Sequence, residues 1–554
     1  MKQTFFFYVL FFAGLMFAPT AHAQSPHPDP RFGIVESYTD PAAATAAGAG
    51  YTRIILRWDV IQPAGRDDWK PANVPDPLIE TELAAGREVV AVLIGTPNWA
   101  SQGVNDARAV PDMDAWGNFT KRIAQQYQGR IKTWIIWNEP DVWDMNHPGS
   151  TWLGTEADYY RLLQVAYDNI KSVDPGMQVF LTGLTYHWDA QYNREQYLSR
   201  LLKIITADPD APAHNFYFDG VTYHLYYKPR QMFDILNELH ATLDSFGLGE
   251  KPIWVNETNA PPTDDPLEPP WADPHFVVST AEQANFVIQA YALLIAGGAQ
   301  RIEFYKMKNS LAHPEDIEPY GLVRSDGTRR PAFDAFKVVT TYFAGFSKYE
   351  WIHEGSVYAV TLARGDKTTT VLWNTARQDV TFTINAIAPQ AILVDETGGT
   401  QPISATDGAY TLVLPGATCS AGDCFIGGAP RLLVENGSPD RRASLLPLAT
   451  ETPTPTPLPT PTETPSPTAT ALPTAKPTAT PAKIAAVSTT ETPALTAPNR
   501  IQPTTTAAAT PVPTTLNVGR LFTPTRIVFL VVVGALLFTL FFVIQFHLWR
   551  RWRG

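Results

Sequence analysis

Cysteine is almost absent from this chain, since only 2 of its 554 residues are Cys. A disulfide-rich scaffold and a zinc module with cysteine ligands are therefore excluded. Charged residues are also scarce at 17%, and acids outnumber bases, so the formal net charge is −12. This balance argues against nucleic acid as a partner.

The N-terminal residues have the pattern of an export signal. Lys2 precedes an apolar run from Phe5 to Phe17, and Ala21-His22-Ala23 matches a small-residue cleavage site. We therefore expect a signal peptide over residues 1–23.

A second apolar segment lies near the other end of the sequence. Residues 527–548 carry no formal charge, and as a helix they would span about 33 Å, enough to cross a bilayer. Arg550, Arg551 and Arg553 follow, which favours a cytoplasmic tail over residues 549–554. We predict a single-pass protein of the cell membrane whose folded part lies outside the cell.

Proline and threonine dominate the segment before this predicted membrane helix. Between Pro453 and Thr515 there are 15 Pro and 20 Thr, and no Phe, Trp or Tyr. Such a composition buries too little apolar surface to offset its chain entropy. We expect residues 449–516 to form a disordered, extended linker.

Eight short apolar runs alternate with helical patterns over residues 31–345. The runs are FGIVE (32–36), RIILRW (53–58), EVVAVLI (88–94), TWIIWN (133–138), QVFLTG (178–183), GVTYHLY (220–226), PIWVNE (252–257) and RIEFY (301–305). This alternation predicts an α/β fold, a (β/α)8 TIM barrel. A doubly wound open sheet is the alternative, weakened because no glycine-rich phosphate-binding motif follows the first run.

Two details of the predicted helices can be compared with a structure. Trp116, Phe119, Ile123 and Tyr127 recur at helical spacing and should share one buried face. Thr280 with Gln283 predicts a capping box for a helix that reaches Ala296.

Residues 346–440 have a different pattern, with short alternating strands separated by turn residues. They predict a small all-β sandwich, either a structural domain or a carbohydrate-binding module. Cys419 and Cys424 lie within it. In an exported protein we expect them to form a local disulfide, and a redox-active pair is the alternative.

Carboxylates follow two of the predicted barrel strands. The fourth run leads into Trp137-Asn138-Glu139-Pro140-Asp141, and the seventh ends in Asn256-Glu257-Thr258. Catalytic groups of a barrel lie at the C-terminal ends of its strands. Two carboxyl groups meeting there are what cleavage of a glycosidic bond requires.

These residues resemble clan A glycoside hydrolases, especially families 5 and 39, over residues 31 to 345. The most specific element is WNEPD at residues 137–141. The resemblance implies a retaining mechanism with Glu139 as general acid/base and Glu257 as nucleophile. It also implies a contact of Asn138 with the sugar and an Arg53 that keeps the nucleophile ionised. It further implies site roles for His224 and Tyr226, with Tyr226 near the nucleophile.

Aromatic residues complete the predicted substrate site. Trp99 and Tyr305 are candidates for sugar contact, and Trp143, Trp152, Trp188 and Trp271 lie in or near strand-following loops, where they could stack on sugars or pack. Barrels of this clan often carry a Trp in the eighth strand. Here the run has none, so we expect either that Phe304 or Tyr305 replaces it or that the sugar subsite differs.

The sequence thus predicts a cell-surface glycosidase that cleaves oligosaccharides or polysaccharides and needs no metal or cofactor. Its partners would be the carbohydrate and the membrane. A catalytically silent barrel that binds surface carbohydrate is the alternative, and an envelope scaffold is a third.

Overall fold

The computed structural model describes residues 28–269, 271, 274–309 and 319–440. Eight parallel strands form a closed barrel in which each strand pairs with the next, and β8 pairs with β1. The strands are β1 (Phe32–Ile34), β2 (Tyr51–Arg57), β3 (Glu88–Ile94), β4 (Thr133–Asn138), β5 (Gln178–Leu184), β6 (Gly220–His224), β7 (Ile253–Thr258) and β8 (Arg301–Phe304). Each overlaps one of the eight apolar runs. The predicted barrel is confirmed, and the open sheet is wrong.

Helices connect the barrel strands and cover their outer face. They are α1 (Pro41–Ala47), α2 (Trp58–Ile61), α3 (Asp76–Ala84), α4 (Met113–Gln126), α5 (Glu156–Val173), α6 (His187–Gln191), α7 (Tyr197–Ala207), α8 (Pro229–Ser245), α9 (Thr280–Ala296) and α10 (Pro331–Tyr342). The predicted apolar face of α4 is buried, from Trp116 through the terminal Tyr127.

Side chains from several strands form a separate apolar cluster inside the barrel. The cluster consists of Tyr51, Val90, Val92, Ile135, Phe180 and Trp254. The barrel is therefore a packed core whose functional surface is its rim.

The N-terminus of α9 corrects one sequence prediction. The capping residue is Ser279, whose hydroxyl accepts from the Glu282 amide at 3.1 Å while the Glu282 carboxylate accepts from the Ser279 amide at 2.9 Å. The predicted Thr280–Gln283 pair is thus one residue too late. Gln283 instead turns inward, where its side-chain amide donates to Asn259 at 3.1 Å. The helix ends at Ala296, as predicted.

Beyond α10 the chain forms an antiparallel β domain. Its strands are β9 (Lys348–Glu354), β10 (Val357–Arg364), β11 (Lys367–Asn374), β12 (Val380–Asn385), β13 (Gln390–Val394), β14 (Thr400–Ser404), β15 (Ala409–Leu414) and β16 (Arg431–Asn436). A six-stranded sheet has the order β14-β13-β16-β11-β10-β9, and β12 pairs with β15. The expected all-β domain is confirmed as an antiparallel β domain. Its strands β9 and β14 are mostly exposed.

One loop of the β domain packs against the barrel. Cys419 and Cys424 are joined by a disulfide within this loop. The Ser420 amide donates to Glu282 on α9, and the Gly427 amide donates to Gln289 on the same helix, both at 2.9 Å. The loop thus binds α9, the helix that follows β7 in the chain.

Several sequence predictions lie outside the described residues. These are the signal peptide at 1–23, the linker at 449–516, the apolar segment at 527–548 and the tail at 549–554. Among the residues that the structure describes, no helix combines the length and apolar character that a membrane span requires.

The observed cap predicts the effect of two neighbouring substitutions on stability. Ser279→Ala should lower the free energy of unfolding by about 1 kcal/mol, because it removes the N-cap hydroxyl. The matched control, Thr280→Ala, should have a much smaller effect, since it leaves that cap intact. Urea unfolding followed by circular dichroism measures both. A larger loss for the Thr280 variant would contradict the observed capping box.

Candidate active site

Glu139 follows β4 in a turn whose backbone is strained. The φ angles of Trp137 and Glu139 are 74° and 44°, values that cost energy in residues other than glycine. Tertiary contacts hold this turn. The Glu139 amide donates to the Gly183 carbonyl at 2.9 Å, and the buried Trp137 indole donates to the Thr151 carbonyl at 2.9 Å. The turn places the partly exposed Glu139 carboxyl at the barrel rim.

Glu257 lies inside the barrel, in β7, and both of its carboxylate oxygens have partners. Oε1 accepts from the guanidinium of Arg53 on β2. Oε2 accepts from the hydroxyl of Tyr226, just after β6, at 2.6 Å. Arg53 and Glu257 are 4% and 8% exposed, so their ion pair is shielded from water. Arg53 of β2 and Tyr226 after β6 thus converge on one carboxylate of β7.

His224, the last residue of β6, bridges the two glutamates. Its Nδ1 hydrogen-bonds Glu139 Oε1 and lies 3.5 Å from Glu257 Oε2. Its Nε2 is 3.3 Å from Arg53 Nη1, which can only donate. Nε2 is therefore the acceptor, and the proton resides on Nδ1, which donates to Glu139.

Gly183 on β5 makes room for this histidine. A Cβ at this position would overlap the His224 ring. The carbonyl of Gly183 also accepts a hydrogen bond from the Glu139 amide. Gly183 therefore helps to place both His224 and Glu139.

The surroundings of Glu257 favour its ionised form. Burial alone raises the pKa of this carboxyl, but His224, Arg53 and the Tyr226 hydroxyl together lower the pKa below its usual value. Burial also raises the pKa of Tyr226 well above its ordinary value. The tyrosine therefore keeps its proton and donates a hydrogen bond to the carboxylate.

The two carboxyl groups are close together. One oxygen of Glu139, one oxygen of Glu257 and one nitrogen of His224 all lie within 4.8 Å of one another. Retaining glycosidases hold their carboxyl groups about 5–5.5 Å apart, whereas inverting enzymes leave roughly 6.5–9.5 Å for a water molecule. The approach of one Glu139 oxygen to within 4.8 Å of one Glu257 oxygen is compatible with the shorter spacing.

The other predicted residues occupy different parts of the rim. Asn138 is the last residue of β4 and is partly exposed, next to Glu139. Trp99 is half-buried, and its indole donates to the Gln62 carbonyl at 2.7 Å while its ring packs edge-on against Trp58. No described contact joins Trp99 to either glutamate. Trp152 is buried against Trp137, so it is a packing residue.

Tyr305 belongs to an aromatic cluster on the side of the nucleophile. Its ring centroid lies 6.5 Å from that of Tyr226 and 5.3 Å from that of Tyr320. Trp271 packs on Tyr320 at 5.8 Å. Phe304 instead points away from the site and packs on Phe336, so of the two candidates to replace the eighth-strand Trp only Tyr305 lies in this cluster. Sequence reasoning missed Tyr320, because its loop shows no strand or helix period.

Two buried acids near the site were also missed. Asp141 accepts from the Thr185 amide and hydroxyl at 2.7 and 2.8 Å, and burial and the nearby Glu139 raise its pKa to about 7. Glu303 on β8 is fully buried, and burial raises its pKa to about 8 although Arg53 acts in the opposite direction. The available signals were the Asp within WNEPD and a lone acid in the apolar run RIEFY.

This arrangement can hold one carboxyl group ionised and present another for proton transfer. Glu257 is fixed as an anion. Oε1 of Glu139 accepts a hydrogen bond from His224, while Oε2 stays available to carry a proton. The same three side chains could in principle hold a metal ion. Arg53 and Tyr226 already occupy both oxygens of Glu257, which disfavours that use.

Sequence comparisons find no match to this chain among models of protein families or among curated proteins. Comparison with solved structures does find relatives. A family 39 glycoside hydrolase from Bacteroides cellulosilyticus WH2 is 17% identical, with a TM-score of 0.56 over 74% of this chain and 81% of that one.

Two further structures share the same architecture. A GH39 β-xylosidase from Caulobacter crescentus is 14% identical, with a TM-score of 0.51 over 75% of this chain and 98% of that one. A GH30 endoxylanase from Clostridium papyrosolvens C71 is 14% identical, with a TM-score of 0.50 over 75% and 98%. At these identities the likeness shows the fold, which is the barrel with its β domain found in clan A glycoside hydrolases.

The contacts of Glu257 predict how its titration responds to substitution. Tyr226→Phe removes a hydrogen bond to the ionised carboxylate, so the pKa of Glu257 should rise. Tyr227→Phe is the matched control and should leave that pKa unchanged. Carboxyl carbon resonances of the ¹³C-labelled protein, assigned by their loss in Glu257→Gln, report the titration. An unchanged pKa in the Tyr226 variant would mean that this hydroxyl does not stabilise the anion.

Proposed function

We propose that this protein is a retaining glycoside hydrolase, with Glu139 as general acid/base and Glu257 as nucleophile. The observation that carries the proposal is the close approach of one Glu139 oxygen to one Glu257 oxygen, within 4.8 Å, at the ends of β4 and β7. Arg53 and Tyr226 hold Glu257 ready as an anion. The fold of the similar glycosidases supports the same assignment.

The first chemical step forms a covalent intermediate. The Glu257 carboxylate attacks the anomeric carbon while Glu139 donates its proton to the glycosidic oxygen. The bond between that carbon and the leaving sugar breaks, and a glycosyl ester of Glu257 forms. The hydrogen bond from His224 to Oε1 of Glu139 leaves Oε2 as the atom that carries the transferred proton.

Water completes the reaction. Esterified Glu257 no longer carries a negative charge, and Glu139 is now ionised, so Glu139 can remove a proton from water. The water oxygen attacks the anomeric carbon and releases Glu257, with retention of configuration after two inversions. No metal or organic cofactor takes part in either step.

We infer that the substrates are O-glycosides of oligosaccharides or polysaccharides, with β-linked glucan or xylan sugars as the first candidates. The structures of a β-xylosidase and an endoxylanase, which share this fold, support xylose-type sugars. Tyr305 in place of a tryptophan changes the floor of the sugar site, so the preferred sugar is expected to depend on the Tyr226, Tyr305 and Tyr320 cluster.

Substitution of the two glutamates tests the proposal on a panel of aryl β-glycosides. Glu257→Gln should lower kcat/KM by roughly 10³- to 10⁵-fold. Glu139→Ala should lower it by about 10²- to 10⁴-fold for poor leaving groups and far less for dinitrophenyl glycosides, which need no proton. Azide should rescue the Glu139 variant and yield a glycosyl azide of retained configuration.

Glu354→Gln, an exposed carboxylate on β9, is the matched control and should behave as wild type. The proposal would be wrong if the wild-type protein cleaved no glycoside and bound polysaccharide as both glutamate variants do. The protein would then be a carbohydrate-binding protein.

We further propose that the barrel acts outside the cell and is tethered to the membrane. The charge-free segment 527–548 with its following arginines, the Pro/Thr-rich linker and the N-terminal signal pattern support this. A chain that ends at residue 516 should appear in the culture medium, whereas the full chain should sediment with membranes. Equal release of both chains would argue against the anchor.

A further inference from the structure

Four side chains next to the acid/base form an exposed aromatic patch, consisting of Trp143, Trp188, Tyr192 and Arg194. The Trp143 ring centroid lies 5.1 Å from that of Tyr192 and 6.1 Å from that of Trp188. The Arg194 guanidinium lies over Trp143 at 4.9 Å from the ring centroid. Trp143 comes from the loop after β4 and the other three from the connection after β5.

This patch is unusually accessible to water. Trp143 is 41% exposed and Tyr192 is 49% exposed, which makes them the two exposed large aromatic side chains in the described part of the barrel. Met145, in the same loop as Trp143, is 60% exposed. Contiguous exposed apolar surface on a soluble domain marks a binding site more often than chance.

The patch includes a residue of the loop that begins at Glu139. Trp143 is four residues beyond Glu139, and Pro140 and Trp143 both line a cavity of about 250 Å³ that extends to Arg194 and Arg200. Asp141 ties the Trp143 loop to the end of β5 through Thr185, at 2.7 and 2.8 Å. These bonds anchor the chain between Glu139 and Trp143 to the end of β5.

The side of the scissile bond on which the patch lies follows from the chemistry. Glu139 protonates the oxygen that departs with the leaving group, whereas Glu257, Tyr226 and Tyr305 surround the sugar that becomes esterified. The patch continues from Glu139 along the loops after β4 and β5. A chain that extends from the departing oxygen would reach these rings.

We propose that the aromatic patch binds the leaving-group portion of a glycan chain, so that the enzyme acts on oligomers with two or more sugars beyond the cleaved bond. This inference rests on the proposed glycosidase activity and adds a substrate class to it. The apolar faces of sugar rings stack on Trp143 and Tyr192, and Arg194 donates hydrogen bonds to their hydroxyl groups. Binding energy gained there helps to position the reacting bond.

Two substrates of one sugar separate this role from catalysis. A tetrasaccharide covers the patch, whereas the glycosyl fluoride places only a fluorine beyond the cleaved bond. In Trp143→Ala/Tyr192→Ala, the ratio of kcat/KM for the tetrasaccharide to kcat/KM for the fluoride should fall by roughly 10- to 100-fold, since each ring contributes about 3- to 10-fold. The single variant Trp143→Phe keeps an aromatic ring, so its ratio should lie between those of the double variant and the wild type.

The matched control is Tyr349→Ala, which removes a 41% exposed tyrosine from β9 of the β domain. It should leave the ratio at the wild-type value. An unchanged ratio in the double variant would overturn the proposal that the patch binds glycan. The same result is expected if the patch binds a protein instead. Wild-type protein inactive on both substrates would instead reject the glycosidase activity itself, so the two failures are distinguishable.

Discussion

The buried ion pair between Arg53 and Glu257 is the interaction on which the site depends. Both side chains are taken from water into the barrel, and a charge buried there without its partner would be strongly destabilising. Tyr226 satisfies the second oxygen of Glu257, and His224 approaches both Arg53 and Glu257. Glu257 is therefore an oriented anion as a direct consequence of how the barrel closes.

Glu139 is placed by backbone geometry. Glu139 has a left-handed φ, and so does Trp137 two residues earlier. The surrounding contacts offset this strain, since the Gly183 carbonyl accepts a hydrogen bond from the Glu139 amide. Gly183 also has no side chain, which leaves room for His224. His224 then links Glu139 to the anionic Glu257, so the two glutamates are set by one shared network of contacts.

The β domain contributes to the same rim through its disulfide loop. Phe425 packs on Phe276 at 5.2 Å, and Phe276 packs on Tyr227 at 4.9 Å. Tyr227 is next in sequence to Tyr226, whose hydroxyl donates a hydrogen bond to Glu257. The loop after β7 therefore lies between the β domain and the strand end that carries Tyr226, and its position depends on both.

The sequence by itself determined the order of strands and helices, because apolar runs and strand-end residues are local properties. It thereby placed Glu139 and Glu257 at the same end of the barrel, since parallel strands share one direction. Only the tertiary structure decided the spacing of the carboxyl groups, the bridging role of His224 and the burial of Glu303. Those features depend on barrel closure, which brings Arg53 to a partner 204 residues away, and no local pattern records such a distance.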